Sequence, residues 1–389
     1  MTGAAIVGIG ATEFSKDSGR SELRLSAEAI TAAVADAGLT LESVNGLACF
    51  GMDSNDAPAV ARVLGMDEVT FFAMTPVGGG GACGNVAHAA MAVATGAADT
   101  VVCYRGMNER SMQRLGQFGG YGGSSGPAVS SYQFNSSFTS PFGLGTPSSS
   151  MAMTARRYMH QYGATSADFG LISVSTRAYA ATNPKAWFYG KPITMEDHQN
   201  SRLISDPLRL LDCCQESDGG VALVVTSTER ARDLAQPVVE ILGAAQGIGP
   251  RWSGISFIER ANIAELADTA IVGKQLWAQS GLSPADIDVA SIYDHFTPSV
   301  LMTLEALGFC GLGEAPAFIR EAGIGLDGKL PLNTNGGQLG EAYIHGYNGI
   351  AEAVRQVRGT AVNQVAGAQR AIATSGSHTP TSGLILGRG

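Results

Sequence analysis

Apolar runs of strand length alternate with amphipathic stretches in the first part of the chain. AAIVGIG, VNGLACFG and DTVVCYRG are short and apolar, whereas ELRLSAEAITAAVADAGL repeats its apolar residues at helical spacing and ends at Gly-Leu, a typical helix stop. GNVAHAAMAVATG has small residues almost all round, which is typical of a buried helix. This alternation of strand and helix predicts an α/β fold with a parallel sheet.

A faint internal repeat predicts that the α/β unit occurs twice. DAGLTLESVNGLACF and QSGLSPADIDVASIYDHF each contain the end of a helix, an acidic turn led by Ser or Thr, and a strand. GNVAHAAMAVATGAADTVV likewise resembles AYIHGYNGIAEAVRQVRG, which RAIATSG follows later in the chain. Because two segments repeat in the same order, we predict two copies of one α/β unit.

The hydrophobic periodicity is lost between the two copies. Residues 115–150 are rich in Gly, Ser and aromatic residues and follow neither a helical nor a strand period. Such a segment is usually a lid, a partner-binding loop or disordered, and its interleaved Tyr, Phe and Pro residues argue against plain disorder. We therefore predict an N-terminal half at 1–228, with a loop domain inserted at about 107–218, and a C-terminal half at 229–389.

Composition and charge exclude several classes of protein. The 389 residues are 45% hydrophobic, enough for large cores. The formal net charge of −9 disfavours nucleic-acid binding, because phosphate contacts need clustered Lys and Arg. No apolar stretch approaches the roughly 20 residues that span a bilayer, and the N-terminus lacks a basic leader. The six cysteines form no CxxC pair, so we expect no metal site, no disulfide framework and a cytoplasmic location.

Several motifs together resemble one family. LDCCQESDGGVALVVTS, ADAGL with VNGL, GNVAHAAMAVATGAAD and GGQLGEAYIHGYNG are similar to the thiolase superfamily, and most of all to its lipid-transfer or sterol-carrier branch. The resemblance spans nearly the whole chain. It implies a thiolase fold, with two duplicated αβαβα halves in a five-layered arrangement and an inserted loop domain, in agreement with the repeat.

The catalytic positions of that family are changed in this chain. The position of the family's nucleophilic cysteine falls in the glycine run Gly78–Gly81, at about Gly79. The histidine of its Gly-His-Pro turn corresponds to Tyr343, and the Asn or His of its Asn-x-x-Phe-type motif corresponds to Tyr293. The C-terminal cysteine region reads ATSGSHTPTSG and contains no cysteine. Without either cysteine a thiolase cannot form its acyl-enzyme, so the resemblance implies a retained fold with different chemistry.

Two tyrosines combined with a glycine loop resemble the actinobacterial steroid side-chain-cleaving aldolases within this superfamily. The resemblance implies retro-aldol cleavage of a β-hydroxyacyl-CoA steroid, of the 17-hydroxy-3-oxo-4-pregnene-20-carboxyl-CoA type, to a 17-ketosteroid and propionyl-CoA. It also implies a homodimer core joined by a small partner with OB-fold and zinc-ribbon domains, which gives a heterotetramer. We expect no separate cofactor, because the CoA thioester is part of the substrate.

A retro-aldol cleavage needs a base for the tertiary hydroxyl, donors for the enolate oxygen and an acid for the enolate carbon. Tyr293 and Tyr343 are the predicted acid and base; Tyr293 is favoured as the base, although the residues alone leave the order open. His295 is expected to lie in the site with Tyr293, because strand alternation sends Asp294 to the opposite face, where it orients a loop. His345 either donates to the thioester oxygen or caps its turn. Core packing is the alternative role for both tyrosines.

The glycine run predicts an anion cradle before the helix that starts near Gly84. Backbone N–H groups of Gly79, Gly80 and Gly81 would lie where a helix N-terminus carries about half a positive charge, although glycine would equally permit close packing there. Ser375 and Gly376, in the segment SGSH that ends at His378, are a possible second pair of donors.

Basic side chains after the strand DTVVCYRG are candidates for CoA phosphates. Arg105, Arg110 and Arg114 are predicted phosphate contacts, with Arg156 and Arg157 from the next helix, unless they only form a solvated face. The low density of basic residues suggests that the partner protein binds part of the CoA.

Two other functions stay open at this point. Cys83, at a helix start that would stabilise a thiolate, could serve a degenerate thiolase or acyl transferase. A non-catalytic lipid or acyl-CoA carrier is the other alternative. His160 and His198, in the predicted inserted domain, are expected at the surface.

Overall fold

The structure is a computed structural model that describes residues 3–51, 55–75, 79–112, 114, 116–117, 137–251, 259–377 and 381–389. The predictions made for Gly78, for His378 and for most of residues 115–136 therefore lie outside the described residues. Within the described ranges, every helix is too short or too polar to cross a membrane.

One large mixed sheet forms the centre of the molecule, in the order β3-β2-β4-β7-β1-β8-β11-β10-β9. A separate two-stranded hairpin pairs β5 with β6. The strands are β1 (Ala4–Ala11), β2 (Gly46–Phe50), β3 (Phe71–Thr75), β4 (Thr100–Asn108), β5 (Leu203–Ser205), β6 (Leu208–Arg209), β7 (Asp218–Ser227), β8 (Val239–Gly247), β9 (Val289–Ser291), β10 (Arg370–Ser375) and β11 (Thr381–Arg388).

The expectation of a parallel sheet is correct only towards the two edges. β2 pairs in parallel with β3 and β4, and β9 with β10. In the middle, β7 is antiparallel to β4 and β1, β8 is antiparallel to β1 and β11, and β11 is antiparallel to β10. The prediction was wrong there because alternation of strand and helix along the chain does not say which strands become neighbours.

The two sides of the sheet repeat one strand order. One side runs β3-β2-β4-β7-β1 and the other runs β9-β10-β11-β8. A parallel bridge between Ala290 and Leu332 adds a further stretch of chain beyond β9, in the place that β3 has on the first side. This order matches the internal repeat of the sequence, while the boundaries at 228 and 229 stay a prediction.

Helices pack against both faces of the sheet. They are α1 (Glu22–Asp36), α2 (Ala57–Leu64), α3 (Ala82–Ala94), α4 (Pro147–Tyr162), α5 (Ser166–Thr182), α6 (Met195–Asn200), α7 (Thr228–Ala231), α8 (Ala267–Ser280), α9 (Thr297–Ala306), α10 (Ala315–Glu321) and α11 (Tyr347–Arg358).

Three apolar clusters divide the molecule into five layers. The central cluster joins α3 and α11 to strands of both sides of the sheet. A second cluster packs α1 and α2 on the outer face of the first side, and a third packs α8 and α9, with α4 and α5, on the outer face of the second. The two sides of the continuous sheet form the two sheet layers, with α3 and α11 between them. The order is therefore helix, sheet, helix, sheet and helix, as the predicted fold class requires.

The small residues of α3 allow it to lie in the central layer. Its apolar positions are mainly alanine, and nine of its thirteen residues are buried, so strands from both sides can approach its backbone. The buried amide of Asn85 donates to the hydroxyl of Tyr347 at 2.8 Å and ties α3 to α11. This packing fixes the start of α3, and with it Gly79, against residues of the second half.

Candidate active site

A pocket of about 450 Å³ lies where the starts of α3 and α11 meet. Gly79, Tyr293, His295, Tyr343 and Ser377 are among its lining residues. The structure thus brings together four of the residues predicted for the site, which come from three separate parts of the chain.

The two predicted catalytic tyrosines form a pair. The hydroxyl oxygens of Tyr293 and Tyr343 lie 3.1 Å apart. Both residues are buried, with exposed fractions of 3% and 7%. The backbone N–H of Tyr293 donates to Thr374 Oγ1 at 3.0 Å, and that of Tyr343 donates to Ser217 Oγ at 3.1 Å. Both residues are therefore held from the backbone, and a hydrogen bond couples the two phenol groups.

Gly79 occupies the place where a side chain would meet this pair. A Cβ atom added there would lie 2.1 Å from the hydroxyl oxygen of Tyr293 and 2.8 Å from its Cζ atom. Real Cβ contacts are never this short, so no residue other than glycine fits while Tyr293 keeps its position. The phenol therefore fills the space that a nucleophilic side chain at position 79 would need.

His295 lies in the pocket beside Tyr293, as predicted. The centroids of the two rings are 4.9 Å apart. Its Nδ1 atom lies 3.3 Å from Ser299 Oγ and its Nε2 atom lies 3.5 Å from Ser377 Oγ. A hydroxyl near each ring nitrogen allows the imidazole to present either tautomer to the pocket.

Asp294 faces away from the pocket and holds a turn. Its Oδ1 atom accepts the backbone N–H of Gln338 at 2.8 Å, within a single π-helical turn at Gly337–Glu341 that leads to Tyr343. The predicted orientation is correct, but strand alternation is not its cause, because β9 ends at Ser291. Burial raises the pKa of Asp294 to about 7, and the backbone N–H donors partly offset this rise. Asp294 therefore positions the segment before Tyr343 and does not touch the pocket.

Arg105 and His345 lie behind Tyr343, which corrects both predictions. Arg105 is 5% exposed on β4, with its guanidinium 4.7 Å from the ring centroid of Phe50, so it is a buried cation and not a contact for CoA phosphates. His345 is fully buried, with its ring centroid 4.9 Å from that of Tyr343. It does not line the pocket, and neither ring nitrogen has a hydrogen-bond partner among the described residues, so His345 neither reaches a thioester oxygen nor caps its turn.

The electrostatics behind Tyr343 favour a negative charge on its oxygen. Burial lowers the pKa of His345 well below its usual range, and the charges of Arg105 and His295 lower it further, so this imidazole is neutral. Burial also lowers the pKa of Arg105, while nearby acidic groups, Tyr343 among them, act in the opposite direction. A guanidinium close to a phenol stabilises the phenolate.

The start of α3 is closed to ligands at two of its N–H groups. The N–H of Cys83 donates to Ser375 Oγ at 3.0 Å, and that of Gly84 donates to Ser382 Oγ at 2.9 Å. The two hydroxyls lie 2.8 Å apart, and both donate towards the carbonyl oxygen of Gly80. Ser375 is thus part of the helix cap and not a second donor to the pocket, which corrects that prediction.

The other glycines of the predicted cradle have separate positions. Gly81 caps α3 with its own backbone, and Gly376 has a φ angle of +77° beside Ser377, which lines the pocket. Gly79 is therefore the member of the run that lines the pocket itself among the described residues.

Cys83 is a poor nucleophile in this setting. It is fully buried at the start of α3, and burial raises the pKa of its thiol to about 12. It is not among the pocket's lining residues, and its sulfur lies 3.6 Å from the carbonyl oxygen of Ala373. Because the thiolate is the reactive form, these observations weigh against a thiolase that uses Cys83.

The segment CCQES acts through its backbone contacts. The N–H of Cys214 donates to the carbonyl oxygen of His295 at 2.8 Å, and Gln215 N–H donates to the carbonyl oxygen of Gln338 at 3.4 Å. Ser217 holds the backbone of Tyr343, as described above. Cys213 and Cys214 also line the pocket, where burial raises the pKa of both thiols. This part of the motif LDCCQESDGGVALVVTS therefore fixes the segments that carry the site.

Sequence reasoning missed a group of charged residues in the pocket wall. Arg110 and Arg114 line the pocket as expected, whereas Arg156 forms a surface ion pair with Asp206 at 2.6 Å and Arg157 is exposed. The further charged lining residues are Lys16, Glu109, Arg202 and Glu216. No local signal marks them, because they lie far apart along the chain and only the fold brings them together.

Two further observations concern His198 and metal ligands. His198 is fully buried, with its Nε2 atom 2.8 Å from Asp212 Oδ1, so the prediction of a surface position was wrong. His160 is exposed, as predicted. In the part of the chain that the structure describes, no group of three or more His, Cys, Asp or Glu side chains is placed to hold a metal ion.

The fold is similar to that of the thiolases. Residues 251–388 match the family model described as "Thiolase C-terminal domain-like". The human mitochondrial 3-ketoacyl-CoA thiolase has the same fold, with a TM-score of 0.68 at 15% identity over 100% of this chain and 99% of that one.

Relatives with much higher identity specify the family. The chain is 60% identical over 385 residues to the 17-hydroxy-3-oxo-4-pregnene-20-carboxyl-CoA lyase of Mycobacterium tuberculosis, covering 99% of both chains. It is 58% identical to the steroid side-chain-cleaving aldolase of Thermomonospora curvata, covering 99% of this chain and 97% of that one. A solved structure described as the Ltp2-ChsH2(DUF35) aldolase has a TM-score of 0.93 at 57% identity, covering 99% and 98%. The chain therefore belongs to the steroid side-chain-cleaving aldolase family, which confirms the predicted resemblance.

Proposed function

We propose that this protein is a carbon–carbon lyase that cleaves a β-hydroxyacyl-CoA steroid, of the 17-hydroxy-3-oxo-4-pregnene-20-carboxyl-CoA type, to a 17-ketosteroid and propionyl-CoA. The observation that carries the proposal is the pair of phenol oxygens 3.1 Å apart, beside Gly79, which leaves no room for a side chain. The names of relatives 58–60% identical over the whole chain support the substrate and the reaction.

The proposed reaction uses only proton transfers by the protein. One phenolate removes the proton from the tertiary hydroxyl at C17, and the C17 oxygen forms a carbonyl as the bond between C17 and C20 breaks. The bonding electrons pass into the thioester as an enolate, and a phenol then delivers a proton to its carbon. We assign the base to Tyr343, because the charge of Arg105 favours its phenolate, and the acid to Tyr293, which reverses the order favoured from the sequence. No acyl-enzyme forms, so a cysteine nucleophile is not needed.

The surroundings of the pair suit this chemistry. The buried charge of Arg105 favours a phenolate at the pair, because an opposite charge in a poorly solvated site acts strongly. His295 lines the pocket with a hydroxyl near each ring nitrogen, so we assign it the role of donor to the enolate oxygen. The CoA thioester belongs to the substrate, so the reaction needs no separate cofactor.

CoA phosphates fit the basic side of the pocket. Arg110 and Arg202 line it, and the structure gives neither guanidinium an ion-pair partner among the described residues. Arg114 also lines it, but pairs with Glu216 at 2.6 Å. We therefore assign phosphate contacts to Arg110 and Arg202 in place of Arg105.

We also propose that the active protein is an assembly. The description of the Ltp2-ChsH2(DUF35) aldolase pairs a chain 57% identical to this one with a second protein. We expect a homodimer of this chain, as in the superfamily, with a small OB-fold and zinc-ribbon partner on each side, and hence a heterotetramer. We also propose a cytoplasmic location.

A reconstituted assay tests the proposal. The protein, with and without the partner, is mixed with the steroid acyl-CoA, and the ketosteroid and propionyl-CoA are quantified by liquid chromatography and mass spectrometry. We expect equal amounts of both products. Binding of the thioester without either product in every mixture would indicate a carrier, and transfer of the acyl group to a protein sulfur would indicate a thiolase.

A further inference from the structure

Glu109 is a buried acid in the pocket wall that the proposed reaction does not use. It directly follows β4, lines the pocket and is 6% exposed. Its Oε2 atom is buried without a partner, and neither carboxyl oxygen has a hydrogen-bond partner among the described residues. A buried polar group without a partner is unusual, and in a pocket it indicates a missing ligand.

The neighbouring acids differ from Glu109 in this respect. Glu216 accepts from Arg114 Nε at 2.6 Å and from Gly116 N–H at 3.3 Å. Asp218 accepts the backbone N–H groups of Ser18, Arg110 and Ser111, each at 3.0 Å. Both neighbours are therefore satisfied by the protein itself, and Glu109 is the carboxyl group whose hydrogen bonds remain to be made.

The surroundings of Glu109 favour its neutral form. Burial raises its pKa well above the usual range, and the charge of Glu216 acts in the same direction, while Arg105 and Lys16 oppose it. The protonated acid carries an O–H group that needs an acceptor. The titratable or charged groups around it are Lys16, Arg105, Cys214, Glu216 and Asp218.

The neutral O–H selects the chemistry of its ligand. A phosphate would bring negative charge next to Glu216 and would itself favour the guanidinium groups of Arg110 and Arg202. A carbonyl oxygen is a neutral acceptor that satisfies the O–H without adding charge. We propose that Glu109 forms a hydrogen-bonding subsite for a carbonyl oxygen of the bound substrate. The inference rests on the proposed function, whose substrate contains such oxygens in the thioester, in the steroid ring and in the two amides of the pantetheine arm of CoA; the thioester and the ring ketone are the two that we propose.

Two substitutions at Glu109 separate hydrogen bonding from packing. Glu109→Gln keeps a donor of the same shape that cannot ionise, so kcat/KM in the assembly should stay close to the wild-type value at neutral pH. Glu109→Met keeps the volume but has no donor, so kcat/KM should fall about tenfold, the usual effect of one lost hydrogen bond in a site. Equal impairment of both variants, or of neither, would overturn the subsite.

The pH dependence of substrate affinity gives a second test, because a purely structural role of Glu109 would not change it. In the wild type, substrate affinity should fall as the pH rises and Glu109 ionises, whereas in Glu109→Gln this component should disappear. Lys16, whose pKa is lowered to about 8 by burial and by Arg110, contributes to the dependence that is left in that variant. Glu305→Gln is a matched control, because burial also raises the pKa of Glu305, but that residue does not line the pocket. Its pH profile should equal the wild-type profile.

Two further measurements identify the carbonyl and separate this inference from the proposed function. If the ring ketone is the ligand, a substrate analogue without that ketone should bind equally to the wild type and Glu109→Met. If the thioester is the ligand, the Met variant should lose kcat with both substrates. Calorimetric dissociation constants for the CoA thioester test Glu109 even without turnover. Failure of the wild type to form products would contradict the proposed function alone, and equal dissociation constants in all variants would contradict the subsite alone.

Discussion

The starts of α3 and α11 have equivalent places in the two halves of the sheet but contribute opposite things to the pocket. α3 lies between β3 and β4 along the chain, and α11 lies between the bridge at Leu332 and β10. The α3 start supplies space, because Gly79 has no side chain and serine hydroxyls cover its nearby N–H groups. The α11 start supplies the side chain of Tyr343, one of the two phenols proposed to transfer protons.

The backbone shows the same contrast. At α11, His345 and Gly346 have φ angles of +48° and +90°, in the left-handed region that residues with a side chain rarely adopt. A π-helical turn precedes them and is held by Asp294. At α3, the described chain enters the helix through glycines and a regular serine cap. In a duplicated fold, one of two equivalent helix starts can therefore lack a side chain, as at Gly79, while the other carries a reactive side chain, as at Tyr343.

Of the changes at the two helix starts, removal of a phenol should lower kcat most strongly. In Tyr343→Phe or Tyr293→Phe, kcat should fall about 10²–10⁴-fold, the range for a positioned acid or base. The double variant should lose little more than the worse single variant, because the two groups act as a unit. Steady-state kinetics with the assembled protein measure this.

The matched control for the phenols is Tyr179→Phe. Tyr179 is also buried, and its hydroxyl donates to the carbonyl oxygen of Ile324 at 3.2 Å, away from the pocket. This variant should lose thermal stability but keep its kcat. Wild-type rates in both Tyr293→Phe and Tyr343→Phe would reduce the pair to a packing role.

Restoring a side chain at the α3 start should have the next largest effect. In Gly79→Ala, the new Cβ displaces the Tyr293 hydroxyl, and kcat should fall about 100-fold, as for other misplacements of about 1 Å. Gly325→Ala is the control, since nothing lies within 4 Å of the added Cβ and its rate should not change. An unchanged rate in Gly79→Ala would show that Tyr293 does not need this space.

Weakening the turn before Tyr343 should give a smaller effect that depends on pH. The pKa of Asp294 is raised to about 7 in the folded protein, against about 4 for a free side chain. The folded state therefore holds the proton more tightly, so this group favours folding at low pH and loses that contribution as the pH rises from about 4 to 7. Asp294→Asn does not titrate, and its Tm relative to the wild type should rise across this window.

Thermal denaturation between pH 4.5 and 7.5 measures this difference. Glu13→Gln, at an exposed carboxylate of the surface, controls for a change of net charge. A constant difference in Tm between Asp294→Asn and the wild type would contradict the assignment of a buried, titrating Asp294.

Removing the thiol at the α3 start should have the smallest effect on the reaction. Cys83→Ala should leave kcat unchanged and lower the free energy of unfolding by about 1 kcal/mol, because the lost sulfur is buried. In the folded wild type, iodoacetamide should modify Cys83 slowly, since burial raises the pKa of its thiol to about 12. Peptide mapping measures the modification, and an acyl group found on this sulfur during turnover would falsify the non-covalent reaction.

Several helices and strands could be predicted from the sequence, because each has its own hydrophobic period. The helices at Glu22–Asp36 and Ala82–Ala94 and the strands at Gly46–Phe50 and Thr100–Asn108 lie where the pattern placed them. The resemblance also located Tyr293 and Tyr343, and the repeat anticipated the matching strand order. The directions of the central strands could not be read in this way, because they depend on which strands become neighbours.

The positions of the charged residues depended on the tertiary structure and could not be predicted from nearby sequence motifs. His345 follows Tyr343 by two residues and Arg105 lies in a candidate phosphate-binding segment, yet both are buried and neither lines the pocket. Lys16 donates to the carbonyl oxygen of Glu216, 200 residues away, and this contact places both in the pocket wall. A side chain's distance along the chain from a motif says little about the direction in which it points.

What the sequence alone determined is therefore several of the strands and helices and the repeat of the α/β unit, since these are local patterns. Only the tertiary structure decided that two phenols meet at 3.1 Å, that Gly79 leaves room for one of them, and that Glu109 has no partner in the protein. The physical reason is that these properties belong to distances between segments that are far apart along the chain, and packing of the two halves sets those distances.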